Sequence, residues 1–245
     1  MRKYFLIPVL ILLLSASVFL CFGEQTENIA DNYSFEKALD LSRILDRQLV
    51  FSFVSASCHL CQEFEDDILS NPEVRKLLNN HFVLSLVTVD ETFKVELPER
   101  GEVTNIQLAS GLGVKGTPTT FIFYPPDPGL LKEENAITGF NKPPDTEYMI
   151  DLLERVVTET FREKGNKEGP TYYNYNPTIK EIGKKDFNIL KETSIDIPVI
   201  NKKLSATSLP EDRELILNFS GDSLKDYSQN IISETDIEKV YLVQG

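Results

Sequence analysis

Between residues 34 and 162, apolar positions recur first at helical and then at strand spacing, and their order predicts alternating helices and strands. Phe35, Ala38, Leu39, Leu41, Ile44 and Leu45 share one face of a helix over roughly 35–48, with Ser34 placed to cap it. Leu49 to Val54 is almost wholly apolar, as in a short strand covered on both faces. Helical spacing returns from His59 to about Ser70 with Leu60, Phe64, Ile68 and Leu69. Asn71-Pro72-Glu73 then reads as a cap, a first-turn proline and a first-turn acid for a helix carrying Val74, Leu77 and Leu78. Phe82 to Val89 is a second strong strand.

The polar stretch 90–104 has no clear pattern and reads as a surface insertion. A short helix over 105–111 leads through Gly113-Val114-Lys115-Gly116-Thr117-Pro118 into a strand from Thr119 to Tyr124. Pro125 to Gly129 is a turn. An edge strand over 135–139 and an amphipathic helix from Thr146 to Arg162 complete the order α-β-α-β-α-β-β-α. That order implies an α/β fold, a central mixed sheet flanked by helices. Lys164 to Pro170 breaks the pattern. Beyond it Glu214 to Phe219 and Val240 to Val243 read as strands around a helix over 223–233, a small α/β appendage. The expected organisation is a leader over 1–23, a mobile lead-in over 24–33, a main domain over 34–164, a linker over 165–170 and a C-terminal module over 171–245.

The N-terminus changes the picture. Arg2 and Lys3 precede an apolar stretch from Tyr4 to Phe22, the layout of a secretory leader, with Cys21-Phe22-Gly23 as an acceptable cleavage site. An uncleaved anchor is the alternative, because the stretch nearly spans a bilayer. Either way the folded part is expected to be extracytoplasmic, periplasmic or secreted, where disulfides persist. The formal charge of −13 and the absence of a basic cluster after the first three residues argue against nucleic acid or an anionic membrane surface as partner. Membrane contact is expected only through the N-terminal segment. The chain has no Trp, but 15 Phe and 9 Tyr can fill a core.

Cys58-His59-Leu60-Cys61 carries the candidate chemistry. With the leader removed, these are the remaining cysteines, and they stand at a strand-to-helix junction. At a helix N-terminus Cys58 faces unpaired N–H groups and the positive dipole end, which favour the thiolate, and Cys61 one turn later can close the ring. His59 can add positive charge beside it or stand free in solvent. Half a zinc site is disfavoured, since no second ligand pair exists and His81, just before an apolar strand, reads as a surface or boundary residue. Haem attachment needs His after the second cysteine, where Gln62 stands. No metal or cofactor is expected. A structural disulfide in so small a loop would constrain the unfolded chain little. Thr117-Pro118, opening a strand after Gly116, suits a cis peptide.

These residues resemble the thioredoxin-fold family, especially extracytoplasmic thioredoxin-like proteins and the C-terminal domain of transmembrane thiol:disulfide reductases. The resemblance rests on the strand 49–54, on Ser57 to Glu65 around the dithiol, on Asn71-Pro72-Glu73-Val74, and on Leu108-Ala109 through Val114-Lys115-Gly116-Thr117-Pro118-Thr119. It implies a thioredoxin fold, Cys58 as nucleophile and Cys61 as the resolving cysteine of a redox-active disulfide. It also implies Pro118 as a cis-proline that, with Thr117, His59 and Leu60, meets the substrate.

Two positions depart from the family pattern. Ser57 replaces the usual Trp before the first cysteine, and Ser52 replaces a buried acid six residues before it, so Glu63 or Glu65 becomes the nearest acid by position. The C-terminal segment weakly resembles a rhodanese-like module, with Phe219-Ser220-Gly221-Asp222-Ser223 where that family has a cysteine-led loop. It is expected to be inactive in sulfur transfer. The resulting expectation is an exported thiol–disulfide oxidoreductase, in the reducing direction, acting on specific protein disulfides and recharged by an upstream dithiol donor such as a membrane reductase. The rival is a non-catalytic binding, assembly or metal-carrier protein with an inert Cys58-Cys61 pair.

Overall fold

The structure is a computed structural model that describes residues 31–97, 101–123, 136, 138–158, 178–210, 212–221 and 223–244. The leader 1–23, the turn 125–129 and the linker 165–170 lie outside the described residues.

Helix α1 (Phe35–Leu45) buries Phe35, Ala38, Leu39, Leu41, Ile44 and Leu45. It stops earlier than its apolar spacing suggests because Asp46 adopts a left-handed conformation (φ 49°), which a short polar side chain tolerates. Strand β1 (Gln48–Val54) follows, buried from its second residue onward. Helix α2 (His59–Glu63) widens into a π-helical turn over Phe64–Leu69, where Ser70 N–H reaches back five residues to Glu65 O at 3.1 Å. Helix α3 (Pro72–His81) starts as its sequence predicts, the Asn71 side chain accepting from Glu73 and Val74 N–H at 3.0 and 3.3 Å. Strand β2 (Phe82–Thr88) pairs parallel to β1.

The stretch 90–104 is more ordered than its polarity suggested. It forms an antiparallel hairpin of β3 (Lys94–Leu97) and β4 (Gly101–Thr104), with Val95 and Leu97 buried and Lys94 and Glu96 exposed. A two-residue alternation this short is easily lost among polar neighbours. Helix α4 (Asn105–Gly111) opens with a capping box between Thr104 and Gln107. Strand β5 (Thr119–Phe123) runs antiparallel to β1, and β6 (Thr138–Phe140) pairs with it at the edge. The first sheet therefore has the order β2-β1-β5-β6. Asn32 and Tyr33 lie along its open side, with Tyr33 N–H donating to Leu84 O and Leu86 N–H to Asn32 Oδ1. Helix α5 (Thr146–Val157) packs with α3 and the π-helical turn on one face through Phe64, Ile68, Leu78, Leu152 and Leu153.

The other face shares its core with the C-terminal segment. There β7 (Thr178–Ile182), β8 (Val199–Ile200), β9 (Glu214–Leu217) and β10 (Lys239–Val243) form a parallel sheet of order β7-β10-β9-β8. Period-two patterning splits its residues between two faces. Leu215, Leu217, Val240 and Leu242 face helix α7 (Leu224–Glu234), while Ile182, Ile216 and Tyr241 join α1 in one core with Phe187 and Leu190 of helix α6 (Lys184–Lys191). Helix α1 is thereby enclosed between two sheets.

Polar groups fix this seam. Leu45 O accepts from Lys239 Nζ at 2.9 Å and Tyr241 Oη at 3.2 Å, and Arg43 O accepts from Lys180 Nζ at 2.7 Å. The module thus satisfies carbonyls that the end of α1 leaves without helical partners. Arg43 also pairs with Asp186 at 2.9 Å, and Arg47 with Glu214 at 3.0 Å.

Candidate functional site

The strand-to-helix junction at the C-terminal end of β1 holds the dithiol. Cys58 is the N-cap of α2, in extended conformation (φ −91°, ψ 106°), so the first N–H groups of the helix point towards its sulfur. Cys61 N–H donates to Cys58 Sγ at 3.1 Å, and Cys58 N–H donates to Ser55 O at 3.1 Å. The two cysteines form a disulfide with their Cα atoms 5.2 Å apart. Exposure is unequal: Cys58 is partly exposed while Cys61 is 1 % exposed. A partner sulfur can therefore approach only Cys58. In the reduced form the Cys61 N–H would stabilise a Cys58 thiolate, because a hydrogen bond to the charged form favours it.

Across the site, the Thr117–Pro118 peptide is cis, Pro118 is buried, and Thr117 O lies 3.2 Å from Cys58 Sγ. Thr119 Oγ1 donates to Gly116 O at 2.6 Å at the start of β5. His59 points into solvent and meets Glu63 at 3.2 Å, one helical turn on. Leu60 is 39 % exposed beside the sulfur pair. The structure thus brings Cys58, Cys61, Thr117 and Pro118 together, with His59 and Leu60 on the open rim.

No carboxylate stands beneath the dithiol at Ser52. This residue is fully buried and accepts a hydrogen bond from Thr120 Oγ1 at 2.8 Å across the β1–β5 pair. Of the two acids suggested by position, Glu65 has its carboxyl pushed up by partial burial and, secondarily, by Asp66 beside it. Glu63 is spent on the exposed contact with His59. His81 lies at the far end of α3, where burial, then Arg213, Arg47 and Lys239, lower its pKa to about 4. Among the described residues no group of three or more His, Cys, Asp or Glu side chains is arranged to hold a metal ion. No described helix is long and apolar enough to cross a membrane.

Two residues with no catalytic motif around them stand close behind the dithiol. Asp90, just past β2, binds Ser55 and Ala56, and Asn105, the first residue of α4, binds the loop that carries Asp90. An acid after a buried strand is too common a pattern to single out. For Asn105, the Thr104-x-x-Gln107 capping box predicts the helix start but not the buried side chain.

The profile of a thioredoxin-like domain family matches residues 35–151. A thioredoxin from Thermus thermophilus is similar at 26 % identity, over 53 % of this chain and 88 % of its own, with a TM-score of 0.42. A thioredoxin-fold protein from Helicobacter pylori is similar at 16 % identity over 63 % of this chain and 94 % of its own, TM-score 0.43. The C-terminal domain of DsbD from Neisseria meningitidis is similar at 18 % identity over 48 % of this chain and 90 % of its own, TM-score 0.35. No curated protein matches the chain significantly.

Proposed function

We propose that this chain, whose residues 35–151 match the profile of a thioredoxin-like domain, is an exported oxidoreductase reducing disulfides of particular partner proteins. The thioredoxin fold with a Cys58–Cys61 pair at bonding distance fits thiol–disulfide exchange in general. The observation that supports exchange through Cys58 is the position of that residue. It alone of the pair is open to solvent, its sulfur receives the Cys61 N–H, and it faces the Thr117 carbonyl ahead of Pro118.

In the reduced state the Cys58 thiolate attacks one sulfur of a substrate disulfide. The Cys58–substrate bond forms, the substrate S–S bond breaks, and one substrate thiolate leaves and takes up a proton. The buried Cys61, as its thiolate, then attacks Cys58 Sγ. The mixed disulfide breaks, the second substrate thiol departs, and the Cys58–Cys61 disulfide remains. Two electrons and two protons pass to the substrate. A dithiol donor must return them, and its thiolate can attack only the exposed Cys58.

The export reading rests on the N-terminal sequence of Arg2, Lys3 and the apolar run to Phe22. The preference for particular partners rests on Ser52 and Ser57: without a buried carboxylate, deprotonation of Cys61 depends on water or on the half-buried Glu65. The same Ser52–Thr120 pair favours a second reading, a binding protein with an inert disulfide. Titration of the pair against a glutathione buffer, read by thiol alkylation, separates them. Exchange within minutes, abolished by Cys58→Ser, supports the oxidoreductase. A pair that stays oxidised throughout and exchanges over many hours supports the scaffold.

A further inference from the structure

The turn that presents Cys58 is held by a hydrogen-bonded chain that runs through Asp90 to the start of α4. Asp90 Oδ2 accepts from Ala56 N–H at 2.6 Å and from Thr88 Oγ1 at 3.3 Å, and Asp90 Oδ1 accepts from Ser55 Oγ at 2.5 Å. Ser55 O in turn accepts the Cys58 N–H, and Ala56 O accepts from Gln62 Nε2 at 3.3 Å. One carboxylate therefore grips the first two residues of a turn whose last residue is the exposed cysteine.

The loop carrying Asp90 is itself fixed. Asn105 is fully buried and uses every group it has. Its Nδ2 donates to Thr88 O at 2.6 Å and Glu91 O at 2.9 Å, its Oδ1 accepts from Phe93 N–H at 3.1 Å, and its own N–H donates to Phe93 O at 3.0 Å. Asn105 begins α4, and the segment after that helix carries Thr117 and Pro118. The Cys58 turn is thus tied through Asp90 to a loop that Asn105 anchors to the start of α4.

We propose that Asp90 is a positioning residue for exchange at Cys58, its carboxylate clamping Ser55 and Ala56 so that the sulfur stays between the Cys61 N–H and the Thr117 carbonyl. The proposal rests on the oxidoreductase reading. Hydrogen bonds from Ala56, the largest influence, and from Ser55 hold the Asp90 carboxyl below the usual carboxylate range, as expected for a group serving as an acceptor. The clamp matters because exchange requires three sulfurs in line, and a small misplacement of the attacking atom costs rate steeply.

The test measures the second-order rate of Cys58 attack on a small aromatic disulfide, per folded molecule, and the equilibrium of the Cys58–Cys61 pair with glutathione. Asp90→Ala is expected to slow attack at least tenfold and shift the equilibrium at least threefold. Asp90→Asn, which can still accept from Ala56 and pair with Ser55, is expected to recover most of the lost rate. A role confined to stability would lower the melting temperature and leave the rate per folded molecule unchanged. Wild-type rate and equilibrium in folded Asp90→Ala overturn the proposal. If Asp90→Ala does not fold, Ser55→Ala decides, a severalfold loss supporting the clamp and an unchanged rate overturning it. If the wild type is inert to both the probe and glutathione, the oxidoreductase reading fails and the proposal falls with it, a result distinct from equal activity in wild type and variant.

Discussion

Glu214 of the C-terminal sheet and Arg47, just after α1, meet at 3.0 Å inside the seam between the two sheets, with side-chain exposures of only 15 % and 8 %. Arg47 also donates to Asn79 O at 2.8 Å, and Tyr241 Oη lies 3.4 Å from the same Glu214 oxygen. The pair joins α1, the end of α3, β9 and β10 at one point.

Removing one partner of a buried ion pair leaves the other charge uncompensated, which costs about 3–5 kcal/mol. Arg47→Ala and Glu214→Ala are each expected to destabilise the protein by that order, measured by urea unfolding. The double variant Arg47→Met with Glu214→Leu should recover most of the loss.

The shared core carries a second expectation. Ending the chain at residue 164 strips Ile182, Phe187, Leu190, Ile216 and Tyr241 from α1 and uncovers its outer face. It also removes Lys180, Lys239 and Tyr241 from the α1 carbonyls. The truncated protein is expected to bind a hydrophobic dye and melt without a sharp transition, whereas an independently stable main domain would melt cooperatively.

His81 sets a pH dependence with a definite sign. Its pKa falls from 6.5 unfolded to about 4 folded, so between those values the unfolded chain binds a proton that the native state does not. Stability contributed by neutral His81 is complete above pH 6.5 and is lost as pH drops towards about 4. The melting temperature of His81→Gln should therefore fall less steeply than that of wild type across this window.

Ser52→Asp puts a carboxyl where Ser52 and Thr120 now pair out of water. Burial raises the pKa of such a group, so the native state keeps its proton after the unfolded chain has lost it, and stability declines as pH rises from about 4. Melting temperature against pH should decline more steeply over this range than in the wild type, where the raised Glu65 carboxyl already contributes in the same direction. Release of substrate from the mixed disulfide should be faster, since the new carboxylate can take the Cys61 proton.

The sequence discloses the parts of this protein whose cause is local. Cys58 at a strand-to-helix junction, the Asn71-Pro72 helix start and the Gly116-Thr117-Pro118 entry to β5 are each encoded within a few residues, and the structure has each in place. The hairpin over 94–104 escaped because Val95 and Leu97 are a two-residue signal among charges. The seam was illegible for a different reason. Tyr241 and Ile216 look like ordinary strand residues, and only the fold shows that their side of the sheet rests on α1. Asp90 bonds Ser55 and Ala56 across 34 to 35 positions and Asn105 reaches back across 12 to 17, relations that spacing along the chain does not express.

The central claim is that Cys58 attacks and Cys61 resolves, and trapping tests it most directly. Reduced Cys61→Ala, mixed with a disulfide-bonded peptide and examined by intact mass spectrometry, should accumulate a stable adduct at Cys58 that Cys58→Ser does not form. No adduct on Cys61→Ala, with wild-type protein equally unreactive towards the peptide, would contradict the account.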